Sequence, residues 1–148
     1  MDLNLPSYKF KVREEEGGQM IYDRLRKKFV PLTPEENVRQ HFVEYLIRER
    51  RFPAGLMNNE IGIVQNNIRR RCDTVVFDRH GNPLVIVEYK SPAVRISQEV
   101  FNQIYRYNLV LHAKYLVVTN GMANYCCMID YVQNRANFIR ELPDYDKL

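Results

Sequence analysis

The chain has 148 residues, 45% hydrophobic and 27% charged, with a formal net charge of +4 at pH 7. These proportions are those of a water-soluble folded protein with one sizeable core, and they exclude a disordered or fibrous chain. No apolar stretch approaches the roughly 18 residues of a membrane-spanning helix, and the positive charge leans towards a polyanionic partner without naming one.

The start, Met-Asp-Leu-Asn-Leu-Pro, lacks the basic opening and apolar centre of a secretory signal, so no membrane segment and a cytoplasmic location are expected. Residues 8–13 and 19–30 read as two strands around Glu16-Gly17-Gly18, where glycine permits a tight turn, which predicts an N-terminal β-hairpin. In Leu32-Thr33-Pro34-Glu35-Glu36, Thr33 is placed as N-cap, Pro34 at the first helical position and Glu36 to close a capping box. The helix that follows runs to about Arg50 with Val38, Phe42, Tyr45 and Leu46 as its apolar stripe. At ~100° per residue Glu35 projects on that side and Glu36 is turned away.

After Phe52-Pro53 the pattern is extended over 57–64, 70–78 and 84–90, with Arg79-His80-Gly81-Asn82-Pro83 as the last turn, so three sequential antiparallel strands are expected. Ser97 caps a second helix to about Leu111, whose apolar face is Val100, Ile104, Tyr107 and Leu111. Residues 114–119 read as a short buried strand ended by Asn120-Gly121, and 125–131 and 138–142 as further strands. Neither a repeat nor a linker interrupts the chain. Residues 1–148 therefore read as one domain, with a hairpin extension over 1–30, a core over about 30–125 and C-terminal strands beyond.

Three cysteines, Cys72, Cys126 and Cys127, are odd in number and lack CxxC spacing, which indicates reduced thiols rather than a disulfide framework or zinc site. His41, His80 and His112 have no metal-ligand spacing, and no GxSxG elbow is present. Arg69-Arg70-Arg71 and the group Arg24, Arg26, Lys27 and Lys28 read as solvated faces or as contacts to a polyanion.

Chemistry concentrates in Leu84-Val85-Ile86-Val87-Glu88-Tyr89-Lys90, an apolar strand that carries a carboxylate and an ammonium near its end. Burying unpaired charge costs several kcal/mol, so Glu88 and Lys90 need a purpose or a partner. Alternation puts Leu84, Ile86, Glu88 and Lys90 on one face and Arg71, Asp73, Val75 and Phe77 together on the preceding strand. Hairpin pairing then brings Asp73 opposite or diagonal to Glu88. Two carboxylates and a strand carbonyl suit a hard dication such as Mg²⁺, and the lysine suits charge that develops on a phosphate. For an E-x-K alone, a buried salt bridge from Glu88 to Lys90, or from Lys90 to Asp73, is the commoner arrangement.

Asp73, fourteen intervening residues and then Glu88-Tyr89-Lys90 resembles the PD-(D/E)XK nuclease motif, in an order matching the restriction-endonuclease-like αβββαβ core. With Leu32-Thr33-Pro34-Glu35-Glu36, Val38-Arg39-Gln40, Arg71-x-Asp73, Pro83 to Pro92 and Thr119-Asn120-Gly121, the chain over about 30–125 resembles the N-terminal nuclease domain of type I restriction enzyme R subunits. The resemblance implies an α/β fold with a mixed central sheet flanked by helices, and a Mg²⁺-dependent endodeoxyribonuclease, with Mn²⁺ as a substitute ion. It implies Asp73 and Glu88 as metal ligands with the Tyr89 carbonyl, Lys90 as the catalytic lysine and Glu35 as the supporting helix carboxylate. Gln103 and Tyr107 fit the family's Q-x-x-x-Y element and, with the flanking Arg71, would support the site or touch DNA.

Glu35 reads equally as a first-turn acid favoured by the helix dipole, and Tyr107 as a core residue. Cys72 stands where the motif often has proline. No GxxxxGK[ST] phosphate loop is present, so no motor is recognisable, and a free-standing protein and one that works with separate translocase and specificity subunits are both open. A monomer is the simplest expectation, or a homodimer where both DNA strands are to be cut. The competing readings are a nucleic-acid-binding or assembly module of a restriction or DNA-processing system with an idle site, and a plain structural domain.

Overall fold

The computed structural model describes residues 3–65 and 67–148, with residues 63–65 and 68–71 described by their backbone alone. Three strands come first, β1 (Val12–Glu15), β2 (Gly18–Asp23) and β3 (Lys28–Pro31), and they pair antiparallel in that order. The two-strand expectation is corrected at Asp23, whose Oδ1 accepts from the backbone N–H of Leu25 at 2.7 Å and of Arg26 at 3.2 Å. This aspartate turn, with Lys27 at a left-handed φ of 55°, reverses the chain inside what reads as one strand.

Helix α1 (Pro34–Glu49) starts where its signals put it, with the Thr33 hydroxyl accepting from the Glu36 N–H at 3.0 Å. Val38, Phe42, Val43 and Leu46 form its buried side. Glu36 departs from the expectation. It is 6% exposed, more buried than Glu35, because the small N-terminal sheet covers the flank that a one-sided helical wheel leaves to water. Arg24 reaches Glu44 at 3.1 Å and Arg26 reaches Glu36 at 2.8 Å, so half of the early basic group is spent joining sheet to helix. Lys27 and Lys28 remain exposed.

The main sheet follows: β4 (Met57–Gln65), β5 (Ile68–Phe77) and β6 (Pro83–Tyr89), then helix α2 (Gln98–Asn108), then β7 (Tyr115–Thr119), β8 (Asn124–Asp130) and β9 (Arg135–Ile139). From α1 to β7 the order is αβββαβ. The six strands neighbour one another in chain order, and every pair is antiparallel except β6 and β7. A parallel pair needs a crossover connection, and α2 lies within it. The turn between β5 and β6 is set by Asp78, whose Oδ1 accepts from the N–H of His80 at 2.8 Å and of Asn82 at 2.9 Å.

Two cores form, one on each face of the sheet. Val38, Phe42 and Leu46 of α1 pack on Val76, Val85, Val87, Tyr89 and Val117, while Phe101 of α2 packs with Val75, Ile86, Leu116 and Val118. Burial on both faces explains why β6 and β7 read as continuous apolar runs. Leu84 breaks the predicted alternation and joins the α1 side. The β5–β6 register shifts between Val76↔Val85 and Phe77↔Pro83, leaving Leu84 as an extra residue.

The buried side of α2 is also not the predicted one. Phe101, Ile104, Tyr105 and Asn108 face the sheet, while Tyr107 is 55% exposed. Asn108 masks the stripe in the sequence: it is buried with its amide donating to the Ile104 carbonyl at 2.8 Å. Beyond it the chain tightens into a 3₁₀ turn over Leu109–Leu111, so Leu111 is not in line with Tyr107.

The last strand is shifted from the predicted 138–142 to Arg135–Ile139, after a turn in which Asp130 Oδ1 accepts from the N–H of Val132 and of Gln133 at 3.0 Å each. Leu142 and Tyr145 instead close the α1-side core. The three cysteines are buried. Among the described residues no helix is long and apolar enough to cross a membrane.

Candidate active site

The β5–β6 ladder has Thr74↔Val87 as its pair nearest the end of β6, and Asp73 follows directly beyond it on β5. On the other side, Asn59↔Thr74 and Ile61↔Cys72 leave Glu60 opposite Asp73. Glu60 and Asp73 thus lie side by side on adjacent strands. Glu60 itself has a left-handed φ of 54°, an uncommon backbone state for a residue with a side chain.

Asp73 is fixed by its neighbours. Its Oδ2 accepts from the Tyr89 N–H at 2.9 Å, which ties the carboxylate of β5 to the end of β6. Below, the Tyr89 ring is 2% exposed, and its hydroxyl lies 2.9 Å from Thr74 Oγ1. Burial pushes the Tyr89 phenol well above its ordinary range, so it serves as a neutral anchor. The Lys90 N–H donates to the Thr119 carbonyl at 2.9 Å and extends the β6–β7 pairing by one residue, which sets the root of the lysine side chain.

Glu35 enters from the first turn of α1. Its carboxyl is raised above the ordinary value, first by burial and then by the charge of Asp73, with Glu60 adding and Arg39 and Lys90 opposing. These five groups therefore share one electrostatic neighbourhood. A groove of about 610 Å³ opens beside it, lined by Glu35, Glu36, Arg39, Glu60 and Ser91 and, from the N-terminal sheet and its turn, by Arg26, Lys28 and Val30.

Arg39 and Glu60 are site residues that sequence reasoning did not single out. Arg39 is 3% exposed, and its guanidinium lies 2.5 Å from Glu36, 3.1 Å from Glu60 and 3.6 Å from Asp73. A signal was present in its position one residue after the buried Val38, on the helix that carries Glu35. Gln103 and Tyr107 are both exposed on α2, which packs on the sheet face opposite α1. The side chain of Arg71 and the Arg69-Arg70-Arg71 group lie outside the described residues. The histidines have structural surroundings: His41 Nδ1 is 2.8 Å from the Asn37 carbonyl, and His112 stacks on Tyr131 at 4.2 Å.

Among the described residues no three His, Cys, Asp or Glu side chains are grouped as a ready-made metal cage. The donors expected from the sequence are two strand carboxylates, Asp73 and Glu88, and the Tyr89 main-chain carbonyl. All are oxygen donors, and such a set fits a hard ion that keeps several of its waters.

A mixed sheet between two helices in αβββαβ order defines the class of fold. Residues 34–143 match the family model of the type I restriction enzyme R protein N terminus, and the chain belongs to that family. Among solved structures it is similar to one described as an HsdR-subunit fragment of a type I restriction enzyme from Vibrio vulnificus YJ016. The match has a TM-score of 0.56 at 19% identity and covers 79% of this chain. The likeness is one of fold, and this chain spans only 24% of the length of that one. No curated protein gives a significant match.

Proposed function

We propose that this chain is a PD-(D/E)XK-type, metal-dependent endodeoxyribonuclease domain that hydrolyses DNA phosphodiester bonds. The observation that supports the reading is the hydrogen bond from the Tyr89 N–H to Asp73 Oδ2 at 2.9 Å, which ties Asp73 to the Glu88-Tyr89-Lys90 segment, in a chain of the R protein N-terminus family. Asp73, Glu88 and the Tyr89 carbonyl would hold Mg²⁺, with Mn²⁺ as a substitute. When bound, the ion supplies Lewis acidity at the scissile phosphate. Lys90 places a positive charge where negative charge builds up on that phosphate. Glu35 supports the site from α1 as a carboxyl that holds its proton more firmly than usual. Gln103, Tyr107 and Arg71 are proposed DNA contacts or supports. DNA is the partner, together with other subunits of a restriction system.

A second reading, an assembly or nucleic-acid-binding module with an idle site, is favoured by one observation: Arg39 already places a cation 3.6 Å from Asp73. Cleavage assays separate the two readings. Supercoiled, linear and single-stranded DNA are incubated with wild type, Asp73→Asn and Lys90→Ala in Mg²⁺, Mn²⁺ or EDTA. The nuclease reading expects EDTA-sensitive cutting that falls by about 10²-fold or more in both variants. Metal-dependent cutting unchanged in Asp73→Asn would sink it, and tight DNA binding without divalent affinity would select the second reading.

A further inference from the structure

The cation beside Asp73 is held by a chain of buried groups that begins outside the family-matched residues. Asp23 in β2 bonds the Nε of Arg26 through Oδ2. Arg26 Nη2 lies 2.8 Å from both oxygens of Glu36, and Gln40 Nε2 donates to Glu36 at 2.9 Å. So pinned, Glu36 holds Arg39 Nη1 at 2.5 Å, while Arg39 Nη2 stands 3.1 Å from Glu60 and 3.6 Å from Asp73 Oδ1. The guanidinium is a rigid fork, and its placement is divided among three carboxylates.

The distances rank those carboxylates. A contact of 2.5 Å to Glu36 is a strong charge-assisted hydrogen bond. At 3.6 Å the contact to Asp73 is beyond hydrogen-bond length. Asp73 Oδ1 therefore feels a compensating charge without having that charge bonded to it. Were Glu36 to release Arg39, the guanidinium would close on Asp73 and take up the oxygen that a metal ion needs.

We propose that Arg39 is a positioning residue for Asp73, held short of it by Glu36, and that the N-terminal sheet takes part in the site by holding Glu36 through Arg26. This rests on the nuclease reading above. It goes beyond that reading in assigning a working role to residues that neither bind metal nor touch substrate, and to strands that precede the matched region. Outer residues that orient a metal ligand commonly alter metal affinity by about 10- to 100-fold when changed.

The experiment titrates Mn²⁺ alone into the full 148-residue chain, follows free Mn²⁺ by electron paramagnetic resonance, and records the carboxyl ¹³C resonance of Asp73 in the metal-free state. The variants are Glu36→Gln, Arg26→Lys and Glu44→Gln. Glu44 is a control of the same kind, a buried α1 carboxylate bonded to Arg24 and Arg48. Circular dichroism confirms folding, and Arg26→Lys decides the question if Glu36→Gln does not fold.

Glu36→Gln is expected to move the Asp73 resonance and weaken Mn²⁺ binding about tenfold or more, Arg26→Lys to act in the same direction by less, and Glu44→Gln to change neither. Wild-type Mn²⁺ affinity with an unmoved Asp73 resonance in folded Glu36→Gln and Arg26→Lys overturns the inference and leaves the nuclease reading intact. Wild type that neither binds Mn²⁺ nor cuts DNA overturns both.

Discussion

Replacing Asp23 by asparagine tests whether the N-terminal sheet is integral to the domain. Asp23 is fully buried, and its carboxylate accepts from the N–H of Leu25 and Arg26 through Oδ1 and from Arg26 Nε and Asn59 Nδ2 through Oδ2. Asparagine keeps an acceptor for the two turn amides. Its NH₂, however, would face two donors, and Asn59 cannot turn its amide to help because its Oδ1 accepts from Thr74 Oγ1 at 2.6 Å. Two charge-assisted bonds at ~1.5–3 kcal/mol each, or one broken buried ion pair at ~3–5 kcal/mol, give the same range. Asp23→Asn should therefore lose about 3–5 kcal/mol, which at ~2–4 °C per kcal/mol is roughly 6–20 °C in Tm.

Burial works to raise the Asp23 carboxyl, but the bonds from Asn59 and Arg26 outweigh it and the value lies below the ordinary 3.8. A lowered carboxyl contributes stability above its unfolded value and loses it as pH falls through the folded one. The gap between wild type and Asp23→Asn in urea melts should thus be full at about pH 5–7 and narrow below about pH 4. A loss under ~1 kcal/mol at pH 7, or a gap that does not change on acidification, would refute the reasoning.

Glu35 has the opposite sign. Burial and then Asp73 raise its carboxyl, so the folded state binds its proton more tightly than the unfolded chain, and stability is lost as pH rises through the folded value. Metal-free Glu35→Gln should match wild type below about pH 4 and melt higher than wild type near pH 7; parallel Tm curves across that range would show that no such strain exists. The thiols of Cys126 and Cys127 are pushed by burial to about 11 and about 12. Native protein should react slowly with a thiol reagent at pH 8 and fully in urea, and rapid native labelling of either thiol would contradict that burial.

The elements that local chemistry determines were legible in the sequence. Thr33-Pro34 starts α1, Ser97 caps α2 with the Val100 N–H donating to its hydroxyl at 3.2 Å, and the unbroken apolar runs of β6 and β7 mark a sheet covered on both faces. What was missed is masked in the apolar pattern itself. The turn at Asp23 is hidden because its flanks, Ile21-Tyr22 and Phe29-Val30, carry strand residues throughout. The buried stripe of α2 is hidden because one of its members, Asn108, is polar and satisfied within the helix. The position of Leu84 follows from a register shift that no single-strand pattern contains.

The same division runs through the candidate site. Asp73, Glu88 and Lys90 stand out because charge inside an apolar strand pattern is conspicuous. Arg39 and Glu36 do not, since charges on a surface helix look ordinary until a second layer covers them. Once β1 to β3 lie against α1, Glu36 is 6% and Arg39 3% exposed, and neither can stay charged there alone. Arg26 and Asp23 complete the pairing from one side, and Glu60 and Asp73 from the other. Glu60 and Asp73, side by side on adjacent strands, repel each other and need a cation. Arg39 supplies one from the helix that also carries Glu35, and the N-terminal sheet determines how close that cation comes to Asp73.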